Sequence, residues 1–403
     1  MSARAFKTAT LSAGPPSVLF FSNALTRGGA EEHIVTLLRG LDRRQFRPLL
    51  VCTSEVAGQL RSDLPGDVEL IPLRLRKPGH LPAALRLARI IREHRIDILH
   101  SHLFYGSLFA SPIGWLCRVP LIIETPHVRE QWRQGWFKSR FIVDRLVGRF
   151  VHQYIAVSHA NARYLIEEKR LPARKITVIH NGCDVERFDP DRLPPSGLRQ
   201  SLGFGPVDPV LVVAGRLEPQ KGHRVLLDAL PAVLQRFPQA RLVCVGSGSL
   251  RSELEARVRG LGLGDSIRFV GHQSNIPDWL ALAELTILPS FYEGLPLVAI
   301  ESLAAGRPVV ATAVDGTPEI VVDEETGVTV PPGDAPALAR AICRLLGDPM
   351  LRERLAGRGR EWVLERFSAE QQVRRTEILY RFGLERRGYH LPAPAFAEAR
   401  GPR

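Results

Sequence analysis

The chain has 403 residues, of which 45% are hydrophobic and 24% charged, and these proportions are typical of a globular protein. They exclude an intrinsically disordered, collagen-like or disulfide-scaffold chain, and the length predicts about two to three domains. The 54 basic and 42 acidic side chains give a formal net charge of +12. Five scattered cysteines without a Cys-x-x-Cys pair favour a reduced, cytoplasmic protein and argue against a zinc site.

The positive charge is concentrated in the first half of the chain. Residues 1–190 carry 28 basic and 17 acidic side chains, whereas residues 191–403 carry 26 and 25. Within the first half, Arg129–Arg140 mixes cations with Trp132, Trp136 and Phe137. An anionic membrane surface attracts such a mixture, so we expect peripheral binding to the inner face of the plasma membrane. A solvated arginine-rich face is the alternative, and no nucleic-acid-binding motif supports a nucleic acid partner.

Short β-rich runs alternate with helical patterns along the first half, which predicts a doubly wound parallel sheet. Residues 98–117 contain no Asp, Glu, Lys or Arg, but their serines, histidines and Pro112 favour a buried strand and helix over a membrane span. The predicted strands are 17–22, 47–53, 96–100, 119–125 and 154–158, and the predicted helices are 30–39 and 81–94.

The same alternation restarts after a Pro/Gly-rich stretch, so the chain is predicted to form two Rossmann-like α/β domains that face a central cleft. The strands predicted in this half are 210–214, 241–245, 267–270, 285–288 and 309–311, and the helices include 224–237, 295–305 and 335–346. The predicted organisation is an N-terminal domain at 1–190, a linker at 191–209, a C-terminal domain at 210–368, a helix at 369–389 that crosses back to the first domain, and a tail at 390–403.

The segment Ser290–Glu301 is the most informative one for function. It runs from a strand through a Gly-Leu-Pro turn into a helix, and the free N–H groups at a helix start favour a phosphate. Glu293 precedes the turn. Glu301 lies in the second helical turn among apolar neighbours, where its carboxylate can accept hydrogen bonds from the vicinal hydroxyls of a ribose.

The segment Ala214–Gly222 also joins a strand to a helix. It places Arg216 and Lys221 at the carboxyl end of the strand, and Gly215 lets the backbone approach a ligand. Two fixed cations suit a diphosphate leaving group in the absence of a metal. The two segments together, in one half of the chain, predict a nucleotide site.

Gly215-Arg216, Lys221-Gly222, Glu293, Glu301 and the segment Ile179–Asp184 together resemble the retaining GT-B glycosyltransferases of family 4 (the group 1 type). The resemblance covers about 18–380 and implies a GT-B fold. It implies transfer of a glycosyl unit from a nucleoside-diphosphate sugar to a glycan or lipid-linked acceptor, commonly in cell-envelope or exopolysaccharide assembly. The C-terminal domain would hold the donor and the N-terminal domain the acceptor, and neither a metal nor a cofactor is expected.

The resemblance also implies roles for individual residues. Arg216 and Lys221 would bind the diphosphate, Glu301 the ribose, and Glu293 the donor sugar. The backbone N–H groups of Gly294, Leu295, Pro296 and Leu297 would face sugar and phosphate. Gly28 and Gly29 match a glycine loop of the family, Gly271 and His272 fall where the base is often seated, and the turn Gly246–Gly248 could pass close to the nucleotide.

Two histidines of the first half are further candidates by resemblance. His127 matches a position that touches the hydroxyls of the donor sugar, although Pro126 departs from the family pattern. His100 and His102 fit a strand-end pattern, in which we favour His102 on the acceptor side. The alternatives are a GT-B epimerase or phosphorylase and a non-catalytic scaffold; the complete set of Arg216, Lys221, Glu293 and Glu301 disfavours the scaffold.

Overall fold

The structure is a computed structural model of the chain, and it describes residues 14–22, 28–53, 61–75, 80–130, 141–389 and 391. These residues form two compact units. Unit 1 comprises the described residues up to Val157, Ala162–Ile179 and those from Gln372 onward, and unit 2 comprises Ser158–Asn161 and His180–Gln371. Each unit contains one parallel sheet with helices, which confirms the predicted pair of Rossmann-like domains.

Unit 1 is built on a seven-stranded parallel sheet in the order β3-β2-β1-β4-β5-β6-β7. Its strands are β1 (Ser17–Ser22), β2 (Arg47–Thr53), β3 (Glu69–Leu73), β4 (Ile98–His102), β5 (Leu121–Thr125), β6 (Gln153–Ala156) and β7 (Ile176–Val178). Its helices are α1 (Gly29–Gly40), α2 (Leu81–Glu93), α3 (Phe104–Leu116), α4 (Ile142–Val147) and α5 (His159–Arg163, shared with unit 2), followed by a π-helical turn (Tyr164–Glu168) and a 3-10 turn (Ala173–Lys175).

The central strand β1 shows why this sequence folds into a covered sheet. All six of its residues are buried, and successive side chains point to opposite faces. Phe20 packs in the core on one face, with α1 and the C-terminal helix, whereas Leu19 and Phe21 pack in the core on the other face, with α2 and α3. A run that is apolar on both faces is typical of a strand inside a parallel sheet.

The uncharged stretch 98–117 forms β4 followed by α3, as predicted, with Pro112 inside the helix. Within the described residues, no helix is both long enough and apolar enough to cross a bilayer.

Unit 2 is built on a six-stranded parallel sheet in the order β10-β9-β8-β11-β12-β13. Its strands are β8 (Val210–Ala214), β9 (Arg241–Val245), β10 (Ile267–Gly271), β11 (Leu285–Leu288), β12 (Val309–Thr312) and β13 (Val328–Val330). Its helices are α6 (Leu198–Ser201), α7 (His223–Arg236), α8 (Arg251–Gly260), α9 (Ile276–Leu282), α10 (Leu297–Ala304), α11 (Ala335–Gly347) and α12 (Pro349–Arg366), with 3-10 turns at Val185–Arg187, Pro219–Lys221 and Thr317–Glu319.

The C-terminal helix α13 (Ala369–Glu385) leaves unit 2 and joins unit 1 from Gln372 onward. Tyr380 and Leu384 are fully buried in a core of unit 1. The chain first enters unit 2 at residue 158, returns to unit 1 at 162 and enters unit 2 again at 180, whereas the sequence analysis placed the boundary at 190. The stretch 191–209, predicted as a linker, belongs to unit 2 and contains α6.

Candidate functional site

The residues of the two C-terminal motifs lie where the strand order of unit 2 reverses. The neighbouring strands β8 and β11 are connected in sequence to opposite sides of the sheet. Loops at the carboxyl ends of two such strands diverge and leave a crevice, which is the usual ligand site of a doubly wound sheet. Arg216 and Lys221 follow β8, and Glu293 follows β11, so the fold brings the two motifs to this point.

A lysine–carboxylate pair forms the centre of this site. The Nζ of Lys221 lies 2.5 Å from Oε1 of Glu293, and the Ser290 hydroxyl donates to the same oxygen at 2.7 Å. Glu293 is buried, while Lys221 retains 20% side-chain exposure. A cation held in this way is directed by its partner and still accessible, which suits it for binding an anionic ligand.

The two motif loops are joined through their backbones. The Phe291 N–H donates to the carbonyl of Gln220, whose side-chain amide donates to the carbonyl of Tyr292. Gly222 adopts a φ of +65°, and a Cβ there would lie 1.8 Å from the carbonyl oxygen of Pro289. Only glycine permits this close approach, which brings the Lys221 loop against the Glu293 loop.

The turn between Glu293 and α10 is fixed by side chains from three other segments. Asp315 accepts a hydrogen bond from the Glu293 N–H at 2.9 Å. The Ser158 hydroxyl donates to the carbonyl of Gly294 at 3.0 Å, and the Asn181 amide donates to that of Leu295 at 3.3 Å. Because C=O and N–H of one trans peptide point in opposite directions, the Leu295 N–H points away from Ser158.

One prediction about this turn was wrong in detail. Pro296 is the N-cap of α10 and has no N–H, so it cannot donate to a phosphate. The donors that remain in the predicted segment are the N–H groups of Gly294, Leu295 and Leu297. Leu297 is the first residue of the helix, where backbone N–H groups have no partner within the helix.

The other predicted donor-site residues belong to the same unit. Arg216 is exposed, and its guanidinium is 3.5 Å from Oε1 of Gln220. Glu301 is half-buried in the second turn of α10. It lies close enough to Cys183 for its negative charge to add to the effect of burial, which raises the pKa of the Cys183 thiol. Gly271 ends β10 with a φ of +73°, and His272 after it is exposed.

The glycines at the ends of β8 and β9 also approach each other closely. The Gly246 N–H donates to the carbonyl of Gly271, and a Cβ at Gly246 would lie 1.9 Å from the carbonyl oxygen of Gly215. Gly215 itself has room for a Cβ, which would touch the Lys221 side chain at 3.6 Å. Of Gly215 and Gly246, it is therefore Gly246, in the predicted turn, whose backbone contact requires glycine.

Sequence reasoning missed His223, the first residue of α7. It is 2% exposed, and among the described residues neither of its ring nitrogens has a hydrogen-bond partner. Burial, together with the nearby charge of Lys221, lowers the pKa of His223 to about 4. The ring lines a cavity of about 10 Å³ with Lys221, Ser290 and Glu293, close to the space that one water molecule needs.

A second group of candidate residues lies at the strand-order reversal of unit 1. Here β1 and β4 are neighbours, and His102 at the end of β4 pairs in register with Ser22 at the end of β1. His127 lies two residues after β5, and His33 lies on α1. Gly28, in extended conformation, caps α1, and Gly29 is its first residue.

These histidines form a buried cluster with hydrogen bonds to the C-terminal helix. The Nδ1 of His102 is 3.1 Å from the Nε2 of His127. His100 lies between the hydroxyls of Tyr380, at 2.6 Å, and Thr125, at 2.7 Å. The Gln372 amide is 3.0 Å from the Nδ1 of His33. Because His100 and His102 are two residues apart on one strand, they share a face, and both are fully buried.

Burial lowers the pKa of His100, His102 and His127 well below its usual value, and the neighbouring imidazoles lower it further. Neutral imidazoles can bind a metal, and ligand atoms of His33, His102 and His127 lie within 4.8 Å of one another. In unit 2, ligand atoms of His159, His180 and Glu319 also lie within 4.8 Å of one another. Glu319 already accepts hydrogen bonds from the His180 ring and from the backbone N–H of His159.

A buried ion cluster lies beside the end of β5. The Nζ of Lys169 is 3.0 Å from Glu130 and 2.9 Å from Asp144, and both carboxylates are buried. Burial raises the pKa of the nearby Glu124 to about 7, although the charge of Lys169 opposes the shift. No pattern in the sequence indicated this cluster, because its members are far apart along the chain.

The aromatic and basic segment of the sequence analysis lies mostly outside the described residues. Trp132, Trp136 and Phe137 all fall in the gap between Glu130 and Phe141. The described part of unit 1 has another surface of similar character: Trp115 and Leu116 are 52% and 69% exposed, and they line a depression with Arg118 and Arg387.

The chain is similar to known glycosyltransferases over most of its length. Residues 27–187 match the family model described as Glycosyltransferase Family 4, and residues 208–348 match that of Glycosyl transferases group 1. The lipopolysaccharide core biosynthesis mannosyltransferase LpsB of Rhizobium meliloti is 30% identical over 66% of this chain and 73% of its own. Glycogen synthase of Mycobacterium tuberculosis is 31% identical over 78% and 76%.

The fold is shared with solved structures. The crystal structure of Anabaena HepE in complex with UDP-glucose aligns with a TM-score of 0.78 at 24% identity, over 89% of this chain and 98% of that one. Three observations point to the same family: the two parallel sheets, the motif residues at the strand-order reversal of unit 2, and the family matches. This protein is therefore a glycosyltransferase of the group 1 family (family 4) with the GT-B fold.

Proposed function

We propose that this glycosyltransferase transfers a glycosyl unit from a nucleoside-diphosphate sugar to an acceptor hydroxyl, with retention of anomeric configuration and without a metal. The observation that carries the proposal is the pair of Lys221 and Glu293, with exposed Arg216, at the strand-order reversal of unit 2. HepE was crystallised with UDP-glucose, which supports a nucleotide-sugar donor.

The leaving group is a nucleoside diphosphate, so negative charge develops on its β-phosphate as the glycosidic bond breaks. Lys221 and Arg216 carry the fixed positive charges, and the N–H groups of Leu295 and Leu297 add oriented dipoles. Because Ser158 and Asn181 already hold the turn, its N–H groups need no rearrangement when the charge develops. Such preorganised donors stabilise a transition state more than flexible ones do.

Glu293 has a positioning role in this proposal. Its carboxylate accepts from Ser290 and Lys221 through Oε1, and its backbone is held by Asp315. The second carboxylate oxygen can accept a hydrogen bond from a hydroxyl of the donor sugar. Glu301 binds the ribose hydroxyls, which completes the contacts to the nucleotide.

The acceptor hydroxyl attacks the same face of the sugar from which the diphosphate departs, and its proton passes to the departing phosphate oxygen. No enzyme carboxylate forms a bond to the sugar in this scheme, which yields retention. We assign His127 to a substrate hydroxyl, and Gly28 and Gly29 to the binding of substrate at unit 1. Assembly of a cell-envelope or extracellular polysaccharide is the proposed setting, and the similarity to LpsB, a lipopolysaccharide core biosynthesis mannosyltransferase, supports it.

We also propose that unit 1 binds an anionic membrane surface, where a lipid-linked acceptor would be found. Trp115 packs on Phe150 with 5.1 Å between ring centroids, and Leu116, Arg118 and Arg387 adjoin it. An exposed tryptophan with basic neighbours is suited to the headgroup region. The test is co-sedimentation with phosphatidylglycerol vesicles at low salt. We expect wild-type protein to pellet and Trp115→Ser/Leu116→Ser to stay in the supernatant; equal pelleting of both would contradict this assignment.

The central experiment measures thermal stabilisation by UDP, GDP, ADP and their sugars, with EDTA present. A ligand at 100 times its Kd stabilises the folded state by about 2.7 kcal/mol. We expect one nucleotide to raise the midpoint and Glu301→Ala to abolish the shift, with exposed Glu353→Ala as the matched control on α12. The anomeric configuration of the product, read by NMR with the identified donor, tests retention. No shift with any nucleotide, or an inverted product, would overturn the proposal.

A further inference from the structure

His102 and His127 form a head-to-head pair. Their ring centroids are 5.4 Å apart, their planes are inclined by 24°, and the nitrogens that face each other are 3.1 Å apart. The centroid separation exceeds the nitrogen separation by the two ring radii, so both nitrogens lie on the line that joins the ring centres. This is the geometry of a linear N–H···N hydrogen bond, and it leaves no room for a metal ion between the nitrogens.

A hydrogen bond between two neutral imidazoles couples their tautomers. One nitrogen of the contact carries the proton and the other accepts it. If Nδ1 of His102 donates, then Nε2 of His127 is bare, and the proton of His127 must be on its Nδ1. If the direction is reversed, the outer proton is on Nε2 of His102 instead. Each direction therefore presents a donor at one end of the pair and an acceptor at the other.

Both outer nitrogens are buried, and within the described part of the chain neither has a hydrogen-bond partner. The two ends are not equivalent. His102 is the last residue of β4, fully buried, and its ring is stacked on Phe20 at 5.9 Å and adjoins His100 at 4.2 Å between centroids. His127 is in the loop after β5, at the carboxyl edge of the sheet, where ligands of such folds bind.

The surroundings favour one direction. A buried N–H without a partner is rarer in proteins than an acceptor that lacks one. In either direction one outer nitrogen carries a proton without a protein partner. The outer nitrogen of His102 lies deeper, at a fully buried residue, whereas His127 lies in the loop at the edge of the sheet and is 5% exposed. The bare nitrogen is therefore Nε2 of His102, which places the proton of His102 in the contact. The free donor is then Nδ1 of His127, and a sugar hydroxyl oxygen is a suitable acceptor for it.

We propose that His102 is a positioning residue that acts through His127: its Nδ1–H donates to Nε2 of His127 and holds that ring as the Nδ1–H tautomer, which donates to a substrate hydroxyl. The proposal rests on the proposed function only for the identity of the ligand, because the tautomer is a property of the free protein. His102, which the sequence analysis placed on the acceptor side, thus acts through His127 and does not contact the acceptor itself.

Three substitutions of His102 separate this role from packing. In His102→Asn the amide takes the place of Nδ1 and can still donate to His127. In His102→Gln the amide reaches the place of Nε2 and misses the contact, and His102→Phe keeps the ring without any nitrogen. We expect kcat/KM within about threefold of wild type for the Asn variant and a loss of about tenfold or more for the Gln and Phe variants, the effect of one lost hydrogen bond at a buried donor.

The decisive readout is the tautomer of His127, measured by ¹⁵N NMR of histidine-labelled protein, with the signal assigned from His127→Gln. We expect Nδ1–H in wild type and in His102→Asn, and a shift toward Nε2–H in His102→Phe. The nucleotide affinity of unit 2 should be the same in the wild type, in His102→Asn and in His102→Phe. An Nε2–H tautomer in the wild type would overturn the proposal, as would equal losses of activity in the Asn and Phe variants.

The failure of the proposed function is distinguishable from the failure of this inference. If no nucleotide binds the wild type, the donor assignment fails, whereas the NMR measurement still decides the tautomer. If His102→Phe does not fold, the wild type and the Asn variant suffice. Stoichiometric zinc bound after incubation with Zn²⁺, and lost in His102→Asn, would replace the hydrogen bond by a metal site and overturn the proposal.

Discussion

Acidification should destabilise unit 1 through its buried histidines. His100, His102 and His127 have pKa values well below the value of about 6.5 that they have in an unfolded chain. Below pH 6.5 the unfolded chain therefore binds more protons than the folded one. Their contribution to stability is fully present above pH 6.5 and is lost as the pH falls toward their folded pKa values.

The size of the effect follows from the linkage relation. Each histidine that stays neutral in the folded state lowers the free energy of unfolding by about 1.4 kcal/mol for every pH unit below 6.5. At pH 5 the three histidines together lower it by about 6 kcal/mol. Glu124 acts in the opposite direction, because its folded pKa of about 7 lies above its usual value of 4.5. Between pH 7 and 5 its protonation restores about 2 to 3 kcal/mol. The effect of the histidines is the larger one, and these four groups together should lower the stability of unit 1 by about 3 to 4 kcal/mol. His152, whose pKa burial lowers to about 3, adds to this loss.

The assay is denaturant unfolding at pH 7.5 and 5.0, followed by a probe in unit 1. His100→Asn keeps an amide near the Tyr380 hydroxyl but cannot titrate, so the loss between the two pH values should shrink by about 2 kcal/mol. The exposed His272→Asn should leave it unchanged. Equal stability of the wild type at both pH values, or an unaltered pH dependence in His100→Asn, would refute the assignment of neutral buried imidazoles.

Two further predictions concern the Lys221 site. Lys221→Met should lower kcat by about 10²- to 10³-fold, because the leaving group loses a cation. It should also destabilise the protein by about 1 to 3 kcal/mol, because buried Glu293 loses its partner. Adding Glu293→Gln should restore the stability in a denaturation assay but not the activity, and restored turnover would contradict the leaving-group role. Gly222→Ala should cost about 2 to 4 kcal/mol, because its Cβ would overlap the Pro289 carbonyl, whereas Gly262→Ala, with a φ of +70° and open space, should cost about 1 kcal/mol. Equal unfolding midpoints for these two variants would contradict the close approach.

The sequence predicted the strands that are apolar on both faces and the residues that follow them. Strand β1 and strand β8 were found at the residues where the structure has them. Strand β3 was missed because it contains exposed residues and Pro72, which weaken the pattern of a buried strand. The predicted strand 96–100 lies at 98–102, since the apolar run begins before the backbone pairing does.

The motifs of the proposed donor site could be found in the sequence because their residue types and spacing are local. The residues that hold them were not: Asp315 and Ser158 reach the 293–295 turn from distant parts of the chain. In unit 1, alternation places His100 and His102 on one face, but it does not say that Gln372 and Tyr380 meet this cluster. These contacts span 280 and 339 residues of chain and therefore carry no local signal.

The route of the chain has a consequence for its synthesis on the ribosome. Unit 1 contains most of the first 179 residues, yet its core also contains Val373, Leu379, Tyr380 and Leu384 from the C-terminal helix. Domains generally fold as they emerge, with the N-terminal one first. In this chain the first unit is completed last. The stretch from His180 to Gln371, which belongs to unit 2, has been synthesised before the C-terminal helix of unit 1 leaves the exit tunnel. The part of the unit 1 core that this helix covers therefore stays exposed while the second unit folds, and we expect chaperones to bind it during translation.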